Sequence, residues 1–339
     1  MSLIISMALL FFIAIMNKTR NHTQPLRIAF FGTPEFSASI LRTLIKHNFT
    51  PSLIITKPDA PVGRKKILTP SPVKICALEN TLPLLQPQKL NDSFFEIFTT
   101  HSIDLAIVVA YGKIFPEMLL ALPSYGCLNV HASLLPLYRG ASPIQSVLLN
   151  GEKQTGITLM QMEKGLDSGP IIAKQAISIA DDETALSLTP KLAHLGGEVL
   201  LSFLSSWERN PIKSEPQEHN LASFCTCICK QDGKIDWNQP AQKIYNTYRA
   251  FTPWPGIFSF FYHKEKSLRV RFIDISLSSE FTKELSPGTL VYKKNSLMKI
   301  VAGNGQFLLI KKLQVEGKKE TTPEEFFRGY PEIKGSLFY

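Results

Sequence analysis

Asp104-Leu105-Ala106-Ile107-Val108-Val109-Ala110 decides the fold. Past the leading aspartate every residue is apolar, with none of the alternation that marks a strand wetted on one face. A run of this kind belongs to a strand covered on both sides, as in the middle of a parallel sheet. Upstream, Arg27-Ile-Ala-Phe-Phe31 is a second short apolar strand, Gly32-Thr33-Pro34 turns, and Glu35 to His47 has helical spacing. Leu53-Ile-Ile-Thr56 is a third strand, leading into a Pro- and Gly-containing stretch, Lys57 to Lys66, that predicts an exposed basic loop. Downstream, Gly126-Cys-Leu-Asn-Val-His-Ala132 is a fourth strand. A loop from Ser133 to Gly140 then leads to a helix after Ser142-Pro143, where proline suits the first turn. Thr155 to Met162 alternates as a strand, and Thr184 to Trp207 has the spacing of a helix that would close the domain. Strands alternating with helices predict a doubly wound α/β domain.

The pattern changes after residue 210. Residues 210–230 are polar and then cysteine-bearing, with Pro211 and Pro216, and read as a linker. Beyond them come short strands: Leu268, Val270 and Phe272 alternate with Arg269 and Arg271, and two apolar runs flank Gly303-Asn-Gly305, a hairpin turn. Thr322-Pro323-Glu324-Glu325 starts a short helix that Gly329 can stop. Closely spaced strands of this kind suggest a small OB-like β-barrel. The expected organisation is an N-terminal extension over 1–25, a catalytic domain over 26–209, a linker over 210–230 and a C-terminal domain over 231–337.

Within the extension, residues 3–16 are almost unbroken apolar side chains followed by Lys18 and Arg20. A spanning helix needs about 20 such residues, and no basic residue precedes the run, as one would in a signal peptide. The expectation is an extension from an upstream start codon, with Met16 as the working start and no membrane partner; a signal or anchor is the alternative.

Charged residues at 19% with 44% hydrophobic residues exclude a disordered chain and a multi-span membrane protein. Five cysteines in 339 residues do not make a disulfide framework, so a reducing, cytoplasmic setting is expected. The net charge of +9 is uneven, because residues 211–339 carry 19 basic and 13 acidic side chains. A basic C-terminal part suits a polyanion such as RNA, and it equally suits plain solubility.

Asn129 and His131 are one residue apart on a strand, so both side chains point to the same face. An amide donor beside an imidazole can stabilise an oxyanion in acyl transfer. Asp167, after the turn at Gly165, supplies a carboxylate that could orient the ring. The same spacing also fits an interior Asn and His satisfying backbone groups. Metal binding is not expected, since no His, Cys or Asp cluster has zinc spacing. Cys225, Cys227 and Cys229 would point three thiols to one side of a strand but lack further ligands, and they read as small linker residues. Neither G-x-G-x-x-G nor a phosphate-binding G-K-[ST] loop is present.

Taken in order, Phe31-Gly-Thr-Pro-Glu-Phe36, Gly63-Arg64 with Pro70-Ser-Pro-Val-Lys74, Asn129-Val-His131, Ser133-Leu-Leu-Pro136 with Arg139-Gly140, Gly165-Leu-Asp-Ser-Gly169 and Phe251-Thr-Pro-Trp-Pro-Gly256 form a pattern. In this respect residues 26–337 resemble the folate-dependent formyltransferases, and among them those that act on methionyl-tRNA. The resemblance implies a Rossmann-like formyltransferase domain, an OB-like tRNA-binding domain, and 10-formyltetrahydrofolate as co-substrate without a metal. It further implies initiator methionyl-tRNA as acceptor and a cytoplasmic monomer. Asn129, His131 and Asp167 fall on the family's catalytic motif, Ser133, Leu134, Leu135 and Pro136 on a folate-binding segment, and Arg64 on a tRNA clamp that Lys65 and Lys66 extend. Ala60, Lys65 and Leu137 depart from the usual residues and bear on loop flexibility and tRNA affinity. Relatives that formylate a sugar-nucleotide amine or glycinamide ribonucleotide would share the trio, and a non-enzymatic RNA-binding module would leave it without a purpose.

Overall fold

The computed structural model describes residues 25–63, 65–292, 297–333 and 336–339. It divides into two compact units. The first takes the chain up to Pro143, Gln154–Ser178 and Thr189–Cys225; the second takes Ile144–Lys153, Ile179–Leu188 and Thr226–Tyr339.

In chain order the elements up to Pro143 are β1 (Ile28–Gly32), α1 (Glu35–Lys46), β2 (Leu53–Ile55), β3 (Ala60–Val62), β4 (Ile67–Thr69), α2 (Pro72–Glu79), β5 (Leu84–Leu85), α3 (Asp92–Thr100), β6 (Leu105–Val109), α4 (Glu117–Ala121), β7 (Cys127–His131) and β8 (Arg139–Gly140). They are followed by α5 (Pro143–Leu149), β9 (Gln154–Gln161), β10 (Ile171–Ser178), α6 (Ala185–Ser206) and β11 (Phe224–Cys225). The first unit is built on a seven-stranded sheet in the order β10-β9-β7-β6-β1-β2-β5. Its five strands from β7 to the edge strand β5, namely β7, β6, β1, β2 and β5, are parallel. The chain winds outward from β1 to β5, returns as β6 on the other side of β1 and continues to β7, which is the doubly wound order with its switch point between β1 and β6. β9 and β10 then extend the β7 edge antiparallel, which the doubly wound expectation did not contain.

Every residue of β1, β2 and β6 is buried, as the unbroken apolar run requires. One face packs an aromatic cluster in which the Phe31 ring lies 4.9–6.5 Å from the rings of Phe94, Phe98, Tyr111 and Phe115. On α6, a Cβ at Gly196 would stand 3.0 Å from Ile40 Cδ1 and 3.1 Å from Val130 Cγ1, so the missing side chain lets this helix approach α1 and β7 closely. The stretch Lys57–Lys66 differs from the expected irregular loop. Its second half joins the β3–β4 hairpin, with Val62 opposite Ile67. Pro61 is tolerated because a two-stranded ribbon leaves one side of each strand without ladder bonds, and Gly63 (φ +73°) and Lys66 (φ +48°) make the turn.

The second unit contains α7 (Ala241–Phe251), β12 (Ile257–His263), β13 (Lys266–Phe281), β14 (Leu290–Val291), β15 (Met298–Val301), β16 (Gln306–Val315) and α8 (Pro323–Gly329). The strands form an antiparallel sheet in the order β12-β13-β16-β15-β14. Register shifts after Phe272, Asp274 and Leu277 bend the long β13 strand, as bulges do. The last residues join the two edges of the sheet. Leu290 N–H donates to Ser336 O at 3.0 Å and Phe338 N–H to Gly288 O at 3.0 Å, while Phe260 and Tyr339 exchange bonds of 3.1 and 3.0 Å. Residues 336–339 thus bridge β14 to β12 and close the curled sheet in the OB-like manner. Thr322 and Glu325 form the capping box of α8, as their spacing suggests.

Candidate active site

β7 carries Asn129 and His131, and the turn after β9 delivers Asp167 to them. Asn129 Nδ2 donates to Asp167 Oδ1 at 3.3 Å, and His131 Nδ1 lies 3.7 Å from Asp167 Oδ2. Gly140 N–H donates to the same Oδ2 at 2.8 Å. Period-two geometry therefore brings both strand residues to one carboxylate. His131 is 6% exposed.

The ring is oriented by something the sequence did not suggest. His131 Nε2 is 3.0 Å from the carbonyl oxygen of Tyr138. A carbonyl only accepts, so the neutral ring carries its proton on Nε2 and leaves a lone pair on Nδ1. Asp167 Oδ2 stands 3.7 Å from Nδ1, at ion-pair rather than hydrogen-bond distance, while Tyr138 O holds the other nitrogen.

That carbonyl belongs to a loop whose polar groups are held by a side-chain bond within it and by side chains from elsewhere in the unit. Ser133 Oγ donates to Leu137 O, Thr158 Oγ1 donates to Ser133 O and accepts from Leu135 N, Lys174 Nζ donates to Leu135 O, and Tyr138 N donates to Ser223 Oγ. In the segment Ser133–Pro136, Ser133 and Leu135 are buried and face inward, while Leu134 and Pro136 are half-buried. The Ser133 hydroxyl and the Leu135 side chain are thereby turned into the protein, and Leu134 and Pro136 stand nearer the surface. The segment holds the loop that holds His131.

Behind Asp167 lies a second layer. Arg139, 4% exposed, donates from Nε and Nη2 to Gln217 Oε1 at 3.1 and 2.6 Å, and its Nη2 is 3.1 Å from His219 Nδ1. Gln217 Nε2 donates to the carbonyls of Asp167 and Gly169. β11 pairs with β8 through Phe224 opposite Arg139 and Cys225 opposite Gly140. Gly140 permits this approach: at φ +121° a Cβ would lie 2.1 Å from Cys225 O. The stretch read as a linker thus contributes Gln217, His219, Ser223 and Cys225 to the surroundings of the trio. No local periodicity marks them, since each acts across 78 or more residues of chain on residues 138–139.

The three cysteines do not share an environment. Cys225 is buried and donates to Tyr138 O at 3.5 Å, whereas Cys227 and Cys229 are exposed. On β7 itself, burial pushes the Cys127 thiol up to about 12. Among the described residues, no group of three or more His, Cys, Asp or Glu is placed to hold a metal ion. Lys65 and Lys66 are exposed at the β3–β4 turn; Arg64 lies outside the described residues, as does the apolar run of residues 3–16. No helix among the described residues is long and apolar enough to cross a membrane.

The profile of the "Formyl transferase" family matches residues 26–204, and that of "Formyl transferase, C-terminal domain" matches 227–331. The methionyl-tRNA formyltransferase of Caldicellulosiruptor saccharolyticus is 40% identical over 91% of this chain and 99% of its own length, and that of Thermodesulfovibrio yellowstonii is 42% identical over 89% and 95%. The chain belongs to the methionyl-tRNA formyltransferase family. Solved structures share the fold. An N-formyltransferase from Helicobacter canadensis, in complex with folinic acid and dTDP-3-aminofucose, aligns over 84% of this chain and 99% of its own at a TM-score of 0.61 and 18% identity. HypX from Aquifex aeolicus in complex with tetrahydrofolic acid aligns over 92% of this chain and 48% of its own at 0.60 and 15%.

Proposed function

We propose that this chain transfers the formyl group of 10-formyltetrahydrofolate to the α-amine of methionine esterified to initiator tRNA, giving N-formylmethionyl-tRNA for translation initiation. Its relationship to methionyl-tRNA formyltransferases, extending over both units, carries the reading. The donor brings an activated formyl group, and the chain's own side chains do the rest. Asn129 gives one amide hydrogen to Asp167 and keeps the other for the oxygen that becomes negative as the amine adds, a donor worth about 3–4 kcal/mol. His131 accepts the amine's proton on Nδ1, the nitrogen that its bond to Tyr138 leaves open. Asp167 then faces an imidazolium at ion-pair distance and stabilises it. As the tetrahedral adduct collapses, the bond from the formyl carbon to N10 breaks and the proton held by His131 passes to N10, releasing tetrahydrofolate and restoring the neutral imidazole.

The loops around the trio offer apolar side chains to the ring faces of the donor. Ile114, Leu137 and Leu166 are 92%, 43% and 57% exposed; they stand after β6, between His131 and Arg139, and beside Asp167. With Leu134 and Pro136 they offer apolar contact for the folate rings. Arg64, Lys65 and Lys66 would meet tRNA phosphates, which position the RNA without reading its sequence. The enzyme works in this reading as a cytoplasmic monomer without a membrane partner.

The test offers 10-formyltetrahydrofolate together with methionyl-tRNA, free methionine, a sugar-nucleotide amine and glycinamide ribonucleotide. Product on methionyl-tRNA alone is the expected result. Formylation of another amine in its place would overturn the acceptor while keeping the donor chemistry.

A further inference from the structure

We propose that Gln217 is a positioning residue for the reaction, holding the backbone of Asp167 so that its carboxylate spans Asn129 and His131. The inference rests on the catalytic reading of Asp167 given above.

Gln217 is 5% exposed, and its amide is fully used. Oε1 accepts both Arg139 bonds, and Nε2 donates at 2.9 Å to Asp167 O and at 2.7 Å to Gly169 O. Two lone pairs and two hydrogens exhaust what a side-chain amide can offer. The bonds also close a ring. From Asp167 O the path runs through Gln217 to Arg139, along the chain to Gly140, and from Gly140 N–H back to the Asp167 carboxylate. Asp167 is gripped at its carbonyl and at its carboxylate.

It needs that grip. Asp167 has φ +47°, in the left-handed region that residues with a side chain enter at a cost. Arg139 sets which way the Gln217 amide faces. Among the described residues no carboxylate pairs with its guanidinium, so its donors go to Gln217 Oε1 and His219 Nδ1. An arginine at one end of the amide leaves only the NH2 end for the two carbonyls.

The distinguishing replacement is Gln217→Glu. It keeps the shape and strengthens the contact with Arg139, but it presents an oxygen to two carbonyl oxygens and so releases the backbone of Asp167 and Gly169 while leaving Arg139 held. Displacing a catalytic group by a fraction of an ångström to 1 Å costs about 10- to 100-fold in rate. We expect kcat to fall by about that factor, with KM for methionyl-tRNA and for the folate within about twofold of the parent. Because the residue acts through Asp167, the same replacement made in Asp167→Asn should change kcat by less than about twofold. Should Gln217→Glu fail to fold, Gln217→Met, which keeps the volume without a charge, is measured in the same pair of backgrounds. Independent, multiplying effects of Gln217 and Asp167 replacements, or an unchanged kcat in the single variant, would overturn the proposal. An Asp167→Asn enzyme with parental kcat would instead overturn the catalytic reading on which it rests.

Discussion

At the scale of single residues, the polar contacts that matter are fixed by atoms that can play only one hydrogen-bonding role. The Tyr138 carbonyl can only accept, so it assigns the proton of His131 and frees Nδ1. The Tyr111 hydroxyl shows the converse. It is buried in the aromatic cluster with no hydrogen-bond partner among the described residues, and burial raises its pKa to about 12. An unmet buried hydroxyl costs about 1–3 kcal/mol, so Tyr111→Phe should raise unfolding stability by about 1 kcal/mol in a urea titration. A loss of stability would mean that the hydroxyl is bonded after all. The thiols sort in the same way. Iodoacetamide under native conditions should label Cys227 and Cys229 and spare Cys76 and Cys127, whose thiols burial pushes up; early labelling of Cys127 would show that β7 opens. Asn129 and His131 were legible in the sequence because strand periodicity puts them on one side. Gln217 was not, because a residue that acts across 50 positions on a turn leaves no local pattern.

At the scale of elements, two small pieces depend on contacts beyond their own length. The β3–β4 hairpin is exposed along both strands, and its base is tied by Asp59, which accepts from Lys74 Nζ at 2.7–2.8 Å and from Gln86 Nε2 at 2.8 Å. The Lys74 bond first, and then the Gln86 bond, hold the Asp59 carboxyl below its ordinary pKa. A depressed pKa stabilises the folded state above the unfolded value of about 3.9 and loses that contribution as pH falls through the folded one. Hydrogen exchange in residues 60–69 should therefore accelerate in acid relative to the neighbouring α2, and Asp59→Asn should abolish that difference; an unchanged acid response in the variant would contradict it. Pro61 and Gly63 hid this hairpin from sequence reading, since both normally interrupt strands. The second piece is the C-terminal strip. Phe338 is 3% exposed and its ring lies 5.7–6.3 Å from those of Trp237, Phe261 and Phe272. Phe338→Ala should cost about 3–5 kcal/mol, read as a lower denaturation midpoint; a change below about 1 kcal/mol would show that the strip does not close the sheet.

At the scale of the whole molecule, the chain divides into two compact units whose strands follow different patterns. In the first, continuous apolar strands force helices onto both sheet faces and leave the loops after β6 and β7 for chemistry, the usual place for ligands in such sheets. In the second, alternating strands and an excess of cations make a small curled sheet. Both architectures were legible because burial on two faces and burial on one face leave different periodicities. Strand β9 was legible as a strand, but its antiparallel placement, strand β10 and the grouping of residues 144–153 and 179–188 with the second unit were not, since partners distant in sequence decide them. In the proposed reaction Asn129, His131 and Asp167 together carry out the transfer. The most direct test is the single-turnover rate of formyl transfer to methionyl-tRNA by His131→Ala, with its circular dichroism and melting followed in parallel. A fall of about 100-fold or more, as for loss of a general base, with the fold intact is the expected result. A rate within about threefold of the parent would place the chemistry elsewhere.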